Sequence, residues 1–115
     1  MNKYSIMLLS GAAVSAAIGQ LLFRVGAKDN QKIIEFINVP IMLGLAFYAI
    51  GTAIWIYALS QEKLVDVYVF TALTFVLVYL GGVLLLNEHI DIFTVTGVLL
   101  VMLGLFLITK FSSPI

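Results

Sequence analysis

The sequence predicts an all-α integral membrane protein of four transmembrane helices, joined by short loops and working as a dimer. Four runs of residues carry no charge, Tyr4 to Phe23, Val39 to Ser60, Val67 to Asn87 and Ile92 to Thr109, and they take up most of the 115 residues. Hydrophobic residues make up 63% of the chain and charged residues 10%, against roughly 45–50% and 25% in soluble domains. Each run is long enough to span, since ~20 residues rising ~1.5 Å each cover a ~30 Å hydrocarbon core. Lipid cannot satisfy backbone groups, which leaves helices or a closed barrel, and continuous rather than alternating apolar sequence selects helices. The spans are placed at about 4–23, 39–60, 65–87 and 92–111, all within one domain, 1–115.

Span one follows Lys3 and ends at Arg24. The small residues Ser15, Ala16 and Ala17 give it some likeness to a secretory signal, but its 20 uncharged residues exceed the 7–15 of a signal core. The connection Arg24 to Asn38 sets Ile33, Ile34, Phe36 and Ile37 beside Lys32 and Glu35, which suits a short amphipathic turn lying along the interface. Pro40 opens span two, where a missing N–H costs little. Gln61, Glu62, Lys63 and Asp66 separate spans two and three, and Asn87 to Asp91 separate three and four. Such tight loops make neighbouring helices antiparallel.

Each span carries a distinctive face. Gly11, Ser15 and Gly19 recur every fourth residue in span one, with Ala12 and Ala16 beside them. Gly44, Tyr48, Gly51 and Trp55 share a face of span two; Tyr68, Thr71, Ala72, Phe75, Tyr79 and Gly82 share one of span three, where Gly81-Gly82 would permit a bend. In span four Gly97 and Gly104 lie seven apart. Small residues let membrane helices approach closely, so ordinary packing accounts for these faces in part. Four helices are too few to enclose a substrate path, and the span-four face is assigned to a dimer interface.

Charge leaves the orientation open. One membrane face receives Lys3, Lys63 and Lys110, the other Arg24, Lys28 and Lys32, so the positive-inside rule gives no bias. Either lipids or a partner decide, or the chain inserts both ways and pairs antiparallel.

Chemistry in place is sparse. There is no cysteine, and the lone histidine, His89, lacks companions at metal-ligand spacing. Serines 10, 15 and 60 have no histidine base in reach, and the acidic residues sit in loops, so no catalytic residue, metal, cofactor or nucleic-acid partner is expected. Binding and passage remain. Arg24, Lys28 and Lys32 cluster where span one ends; they suit a phosphate headgroup, or else act only as interfacial anchors. Gln20 is a polar group inside the span, and Glu88 suits a sugar hydroxyl or an amine, or else a helix cap.

Several motifs together resemble a family. Gly19-Gln20-Leu21-Leu22-Phe23-Arg24 resembles the Gly-Gln-Leu-Leu-Phe-Lys ending found in the drug/metabolite transporter superfamily, whose four-helix, EamA-like members include the small multidrug-resistance proteins and the subunits that flip aminoarabinose linked to undecaprenyl phosphate. The stretch Val67 to Val78 resembles the flippase subunits' Ala-Tyr-Pro-Leu-Leu-Ser-Leu-Asn-Phe-Val-x-Val, with Val69 in place of Pro, and Glu88 falls where an acidic residue follows this helix. Gly97 to Gly104 resembles the glycine motif through which small multidrug-resistance proteins dimerise. Their essential helix-one glutamate, in Glu-Val-Ile-Gly, reads here Ala16-Ala17-Ile18-Gly19, and of their Tyr-x-x-Trp clamp only Tyr68 remains, with Thr71 in the Trp position.

The resemblance implies a multi-pass protein of the bacterial inner membrane, paired with itself or a homologous subunit among membrane lipids, and moving a lipid-linked sugar phosphate or other amphipathic substrate. Its expected binding residues are Gln20, Arg24, Lys28, Lys32, Tyr48, Trp55, Tyr68, Thr71 and Glu88, with Gly97 and Gly104 at the dimer interface. The alternatives are a cation exporter lacking its glutamate and a non-transporting accessory subunit. Burying a charge in lipid is costly, and its absence from span one argues against proton-coupled export.

Overall fold

The computed structural model describes residues 3–111, with side chains as far as residue 108. Four helices follow in order, α1 Lys3–Ala27, α2 Val39–Leu59, α3 Leu64–Leu85 and α4 Ile92–Phe111, with a 3-10 turn at Ile33–Phe36 and no strand among the described residues. The expected spans therefore form as helices. Lys110, counted with Lys3 and Lys63 on one face, lies outside the described side chains.

The helix ends depart from the apolar runs for local reasons. α1 continues past Phe23 to Ala27, carrying Arg24 in its last turn, where a cation meets the carbonyl end of the helix dipole. Asp29 adopts φ 64, turning the chain away. Asn38 then ties two helices together: its Nδ2 donates to Gly26 O and Glu35 O, each at 2.8 Å, while its Oδ1 accepts from Ile41 N at 3.0 Å as the cap of α2. The turn between them exposes Ile33, Ile34 and Ile37, as an interfacial segment would. α3 stops at Leu85, short of Asn87, because Asn87 takes φ 55, a left-handed conformation that Asn tolerates better than most residues.

α1 is the central element, packed most extensively on α2 and next on α3. Glycine makes the α1–α2 approach close. A Cβ on Gly19 would stand 2.8 Å from Gly44 O, one on Gly44 equally close to Gly19 O, and one on Gly51 2.9 Å from Ala12 O. Gly11, expected on this face, is exposed with nothing within 4 Å of its Cβ direction; Gly26, against Ile41, takes the role further along. On the α3 side, buried Thr74 donates to Phe70 O at 3.3 Å and Ala13 O at 3.5 Å, which satisfies its hydroxyl inside the bundle. α3 runs through Gly81-Gly82 as one continuous helix, and Leu21 packs over Gly81.

A small core of Leu9, Ala58 and Val67, none more than 1% exposed, closes one end of α1, α2 and α3, with Trp55, Leu59 and Phe70 packed against it. Elsewhere large apolar side chains face outward, among them Met7, Leu84 and Leu100, as suits lipid contact. α1, α2 and α3 are long and apolar enough to cross a membrane; the described apolar part of α4, Ile92–Ile108, is shorter. α4 packs chiefly on α3, and of its described residues only Val98 is buried. The radius of gyration, 15.9 Å, exceeds the ~13 Å expected of a compact chain this long, and the extents of 48 × 35 × 20 Å describe a flattened molecule.

Candidate functional site

Two cavities adjoin α1. The first, of about 380 Å³, lies among α1, α2 and α3 and is lined by Gln20, Tyr48, Trp55, Tyr68 and Thr71, five of the residues expected from sequence, and also by Thr52 and Thr74. These are brought together by helix periodicity: Tyr48, Gly51 and Trp55 repeat along one face of α2, and the two glycines at 44 and 51 seat that face on α1. The Phe23 and Tyr48 rings, 6.0 Å apart and tilted by 42°, stand beside it. Among the described residues no carboxylate or basic side chain lines this cavity, and Ala16 forms part of its wall. Its chemistry is that of aromatic faces, hydroxyls and one amide.

The second cavity, of about 650 Å³, opens at the C-terminal end of α1, where Arg24 and Lys28 face Asn87, Glu88 and His89 of the loop between α3 and α4. Arg24 Nε donates to Glu88 Oε2 at 3.0 Å, and both side chains are about half exposed. The contact depends on the path of the loop. With Asn87 left-handed, Glu88 N turns back to donate to Gly82 O at 3.0 Å, and the carboxylate lies over Gly82, where a Cβ would meet Oε1 at 2.9 Å. Arg24 lies in the last turn of α1, and Lys28 follows directly after the helix, its N–H donating to Arg24 O at 3.1 Å.

Lys32 is not part of this pocket. It is exposed at the start of the 3-10 turn, where its carbonyl accepts from Glu35 N at 3.1 Å. The expected cluster of three cations is thus a pair with a third outside. Glu88 does not cap a helix: that role belongs to Asp91, whose Oδ1 accepts from Thr94 N at 2.8 Å. This bond holds the Asp91 carboxyl below its ordinary value. The Arg24–Glu88 pair spans 64 positions, and the only trace of it in the sequence is that topology puts both residues at one membrane face.

A second contact was not signalled at all. Ser5, 2% exposed, donates to Glu62 Oε2 at 2.6 Å across the opposite end of α1. Among the described residues nothing lies within 4 Å of the Cβ directions of Gly97 and Gly104, so no described side chain covers the face they mark.

Residues 3–110 match the EamA-like transporter family, and the chain belongs to it. With its long apolar helices it is a multi-pass membrane protein of the transporter class. Two relatives are each described as a probable 4-amino-4-deoxy-L-arabinose-phosphoundecaprenol flippase subunit ArnF. That of Shewanella sediminis (strain HAW-EB3) is 33% identical over 115 residues, covering 88% of this chain and 79% of the relative. That of Photorhabdus laumondii subsp. laumondii is 34% identical over 74 residues, covering 63% and 59%. No solved structure matches the chain.

Proposed function

We propose that the chain is one half of a paired carrier that moves a lipid-linked sugar phosphate across the bacterial inner membrane. The observation that carries this reading is the division of the site into an uncharged aromatic and hydroxyl cavity among the helices and a charged pocket at the end of α1. The relatives act on a molecule of matching parts, an amino sugar joined through phosphate to a polyprenol. Arg24 and Lys28 receive the phosphate, a guanidinium offering parallel N–H donors to its oxygens. Glu88 stands where an amine would be welcomed. The sugar ring lies against Tyr48, Trp55 and Tyr68 as it crosses, its hydroxyls met by Gln20 and Thr71. The polyprenyl chain stays in lipid. Lys32 serves as an interfacial cation.

Export of cationic drugs is disfavoured by the same cavity, since Ala16 contributes no carboxylate to it. Pairing runs through the open face of α4, where Gly97 and Gly104 allow close helix approach; leucine at both positions lowers the dimer mass measured in detergent. The decisive experiment is flipping of the phosphoundecaprenol-linked amino sugar in vesicles carrying the chain and its paired subunit. Arg24→Gln lowers the rate by about tenfold or more, as loss of a charge-assisted hydrogen bond implies, and Arg24→Lys lowers it less. Normal flipping by Arg24→Gln, together with dye export gained by Ala16→Glu, would replace this reading with that of an exporter lacking its carboxylate.

A further inference from the structure

We infer that Glu88 is a resident anion of the charged pocket: its carboxylate occupies Arg24 while the pocket is empty, and a phosphate group displaces it on entering, freeing the loop between α3 and α4. The inference rests on the reading of this pocket as the phosphate site.

Three features carry it. The first is that the pair is incomplete. Only Nε of Arg24 is engaged, by one carboxylate oxygen, out of the five N–H donors of a guanidinium. The terminal nitrogens, with no hydrogen bond among the described residues, remain for a phosphate to approach before Glu88 leaves. The second is charge. Arg24 and Lys28 together oppose a single carboxylate in the pocket lining, so the vacant pocket keeps a positive excess that draws an anion, and the released pair of cations matches a phosphate of one to two negative charges. Lys28 has no ion pair among the described residues.

The third feature is the seat of the carboxylate. Glu88 rests on bare backbone at Gly82 and hangs from a loop turned by left-handed Asn87, not from a packed helix. Both partners are about half exposed. An ion pair so placed is weak, roughly two- to fivefold in an equilibrium, and that is what an exchangeable contact requires. Departure of Glu88 leaves the bond from its own N–H to Gly82 O as the remaining tie recorded between this loop residue and α3. Because α4 packs chiefly on α3 and follows directly from this loop, loosening the loop alters how α4 is carried.

Arg24 is the sole arginine of the chain, so arginine labelled with 15N gives a single Nε–H resonance that reports the pair directly. The full chain in nanodiscs is titrated with undecaprenyl phosphate and, separately, with inorganic phosphate. Three variants are compared: Glu88→Gln, which removes the competing charge; Gly82→Ala, which evicts the carboxylate by its Cβ without changing any charge; and Arg24→Gln, which has no signal and is followed by lipid retention in native mass spectrometry. The expected result is that phosphate shifts the wild-type resonance towards the position it already holds in Glu88→Gln, with affinity raised about two- to fivefold in both Glu88→Gln and Gly82→Ala. A gain seen with both probes identifies the phosphate group itself as the competitor, and a gain with undecaprenyl phosphate alone identifies a headgroup presented from the bilayer; either supports displacement. Affinity equal to or weaker than wild type in Glu88→Gln overturns it and makes the pair a structural staple, whether or not Gly82→Ala folds. A wild-type resonance unmoved by either probe, with undiminished lipid retention by Arg24→Gln, overturns the phosphate site itself as well.

Discussion

At one end of α1, Ser5 donates at 2.6 Å to Glu62, on the loop that leads into α3; at the other, Arg24 meets Glu88, on the loop that leaves α3, at 3.0 Å. Both contacts are glutamates reaching from a loop to the same helix, yet their surroundings are opposite. Ser5 is 2% exposed and its partner Glu62 half-buried, at the end where Leu9, Ala58 and Val67 form a core, whereas Arg24 and Glu88 are about half exposed above an open pocket of about 650 Å³. A hydrogen bond in a sealed, low-dielectric setting is strong and costly to leave unmade, while an ion pair in contact with water is weak and replaceable. The difference teaches that a residue type fixes little by itself. On the inference above, a glutamate flanking α3 acts as a lock where its partner is buried and as a removable occupant where its partner is exposed.

The comparison is broken most directly at the sealed end. Leu9→Ala removes a fully buried side chain and lowers stability by about 2–3 kcal/mol, read as the midpoint of unfolding in a mixed-micelle titration. Leu86→Ala, at the wall of the open pocket, costs well under ~1 kcal/mol by the same measure, since little packing is lost there. Equal losses would mean that the two ends are not differently packed. Next in size is Ser5→Ala, which deprives Glu62 of its donor and costs about 1–2 kcal/mol. Arg24→Gln costs no more than ~1 kcal/mol, so a stability loss from Arg24→Gln exceeding that from Ser5→Ala contradicts the assignment of lock and occupant.

The smallest effect expected is at the start of α4. Asp91 accepts from Thr94 N, which holds its carboxyl below the ordinary value of 3.8. A depressed folded value means that the cap stabilises α4 fully above the unfolded value and that this contribution fades as pH falls through the lower, folded one. Asp91→Asn keeps the capping acceptor and flattens that acid limb of the thermal-unfolding profile. An unchanged acid limb would remove Asp91 from the account.

Much of the fold was legible because lipid imposes simple rules. Uncharged runs of spanning length had to become helices, and the α2 and α3 faces had to follow the helical repeat, which is why Tyr48, Trp55, Tyr68 and Thr71 meet with Gln20 around one cavity. What sequence did not settle depends on crossing geometry and loop path. The small-residue row of α1 includes Gly11 by spacing, yet the crossing with α2 uses Gly19 and Gly26 and leaves Gly11 open. Lys32 sits near Arg24 and Lys28 in sequence, but the chain turns at Asp29 and carries it away. The two glutamate contacts required knowing how loops fold back over α1; for Glu88 that rests on one left-handed asparagine and one glycine.

Because the chain contains no cysteine, single cysteines report the two ends of α1 without background. The central claim, that the Arg24 end is an open headgroup pocket and the Ser5 end is sealed, is tested by labelling Leu86→Cys and Ala58→Cys with a membrane-impermeant maleimide in nanodiscs, where both faces are in water, with and without undecaprenyl phosphate. The account predicts that Leu86→Cys reacts readily and is protected by the lipid phosphate, while Ala58→Cys stays unreacted in either case. Labelling of both at the same rate, or of Leu86→Cys with no protection, would contradict it.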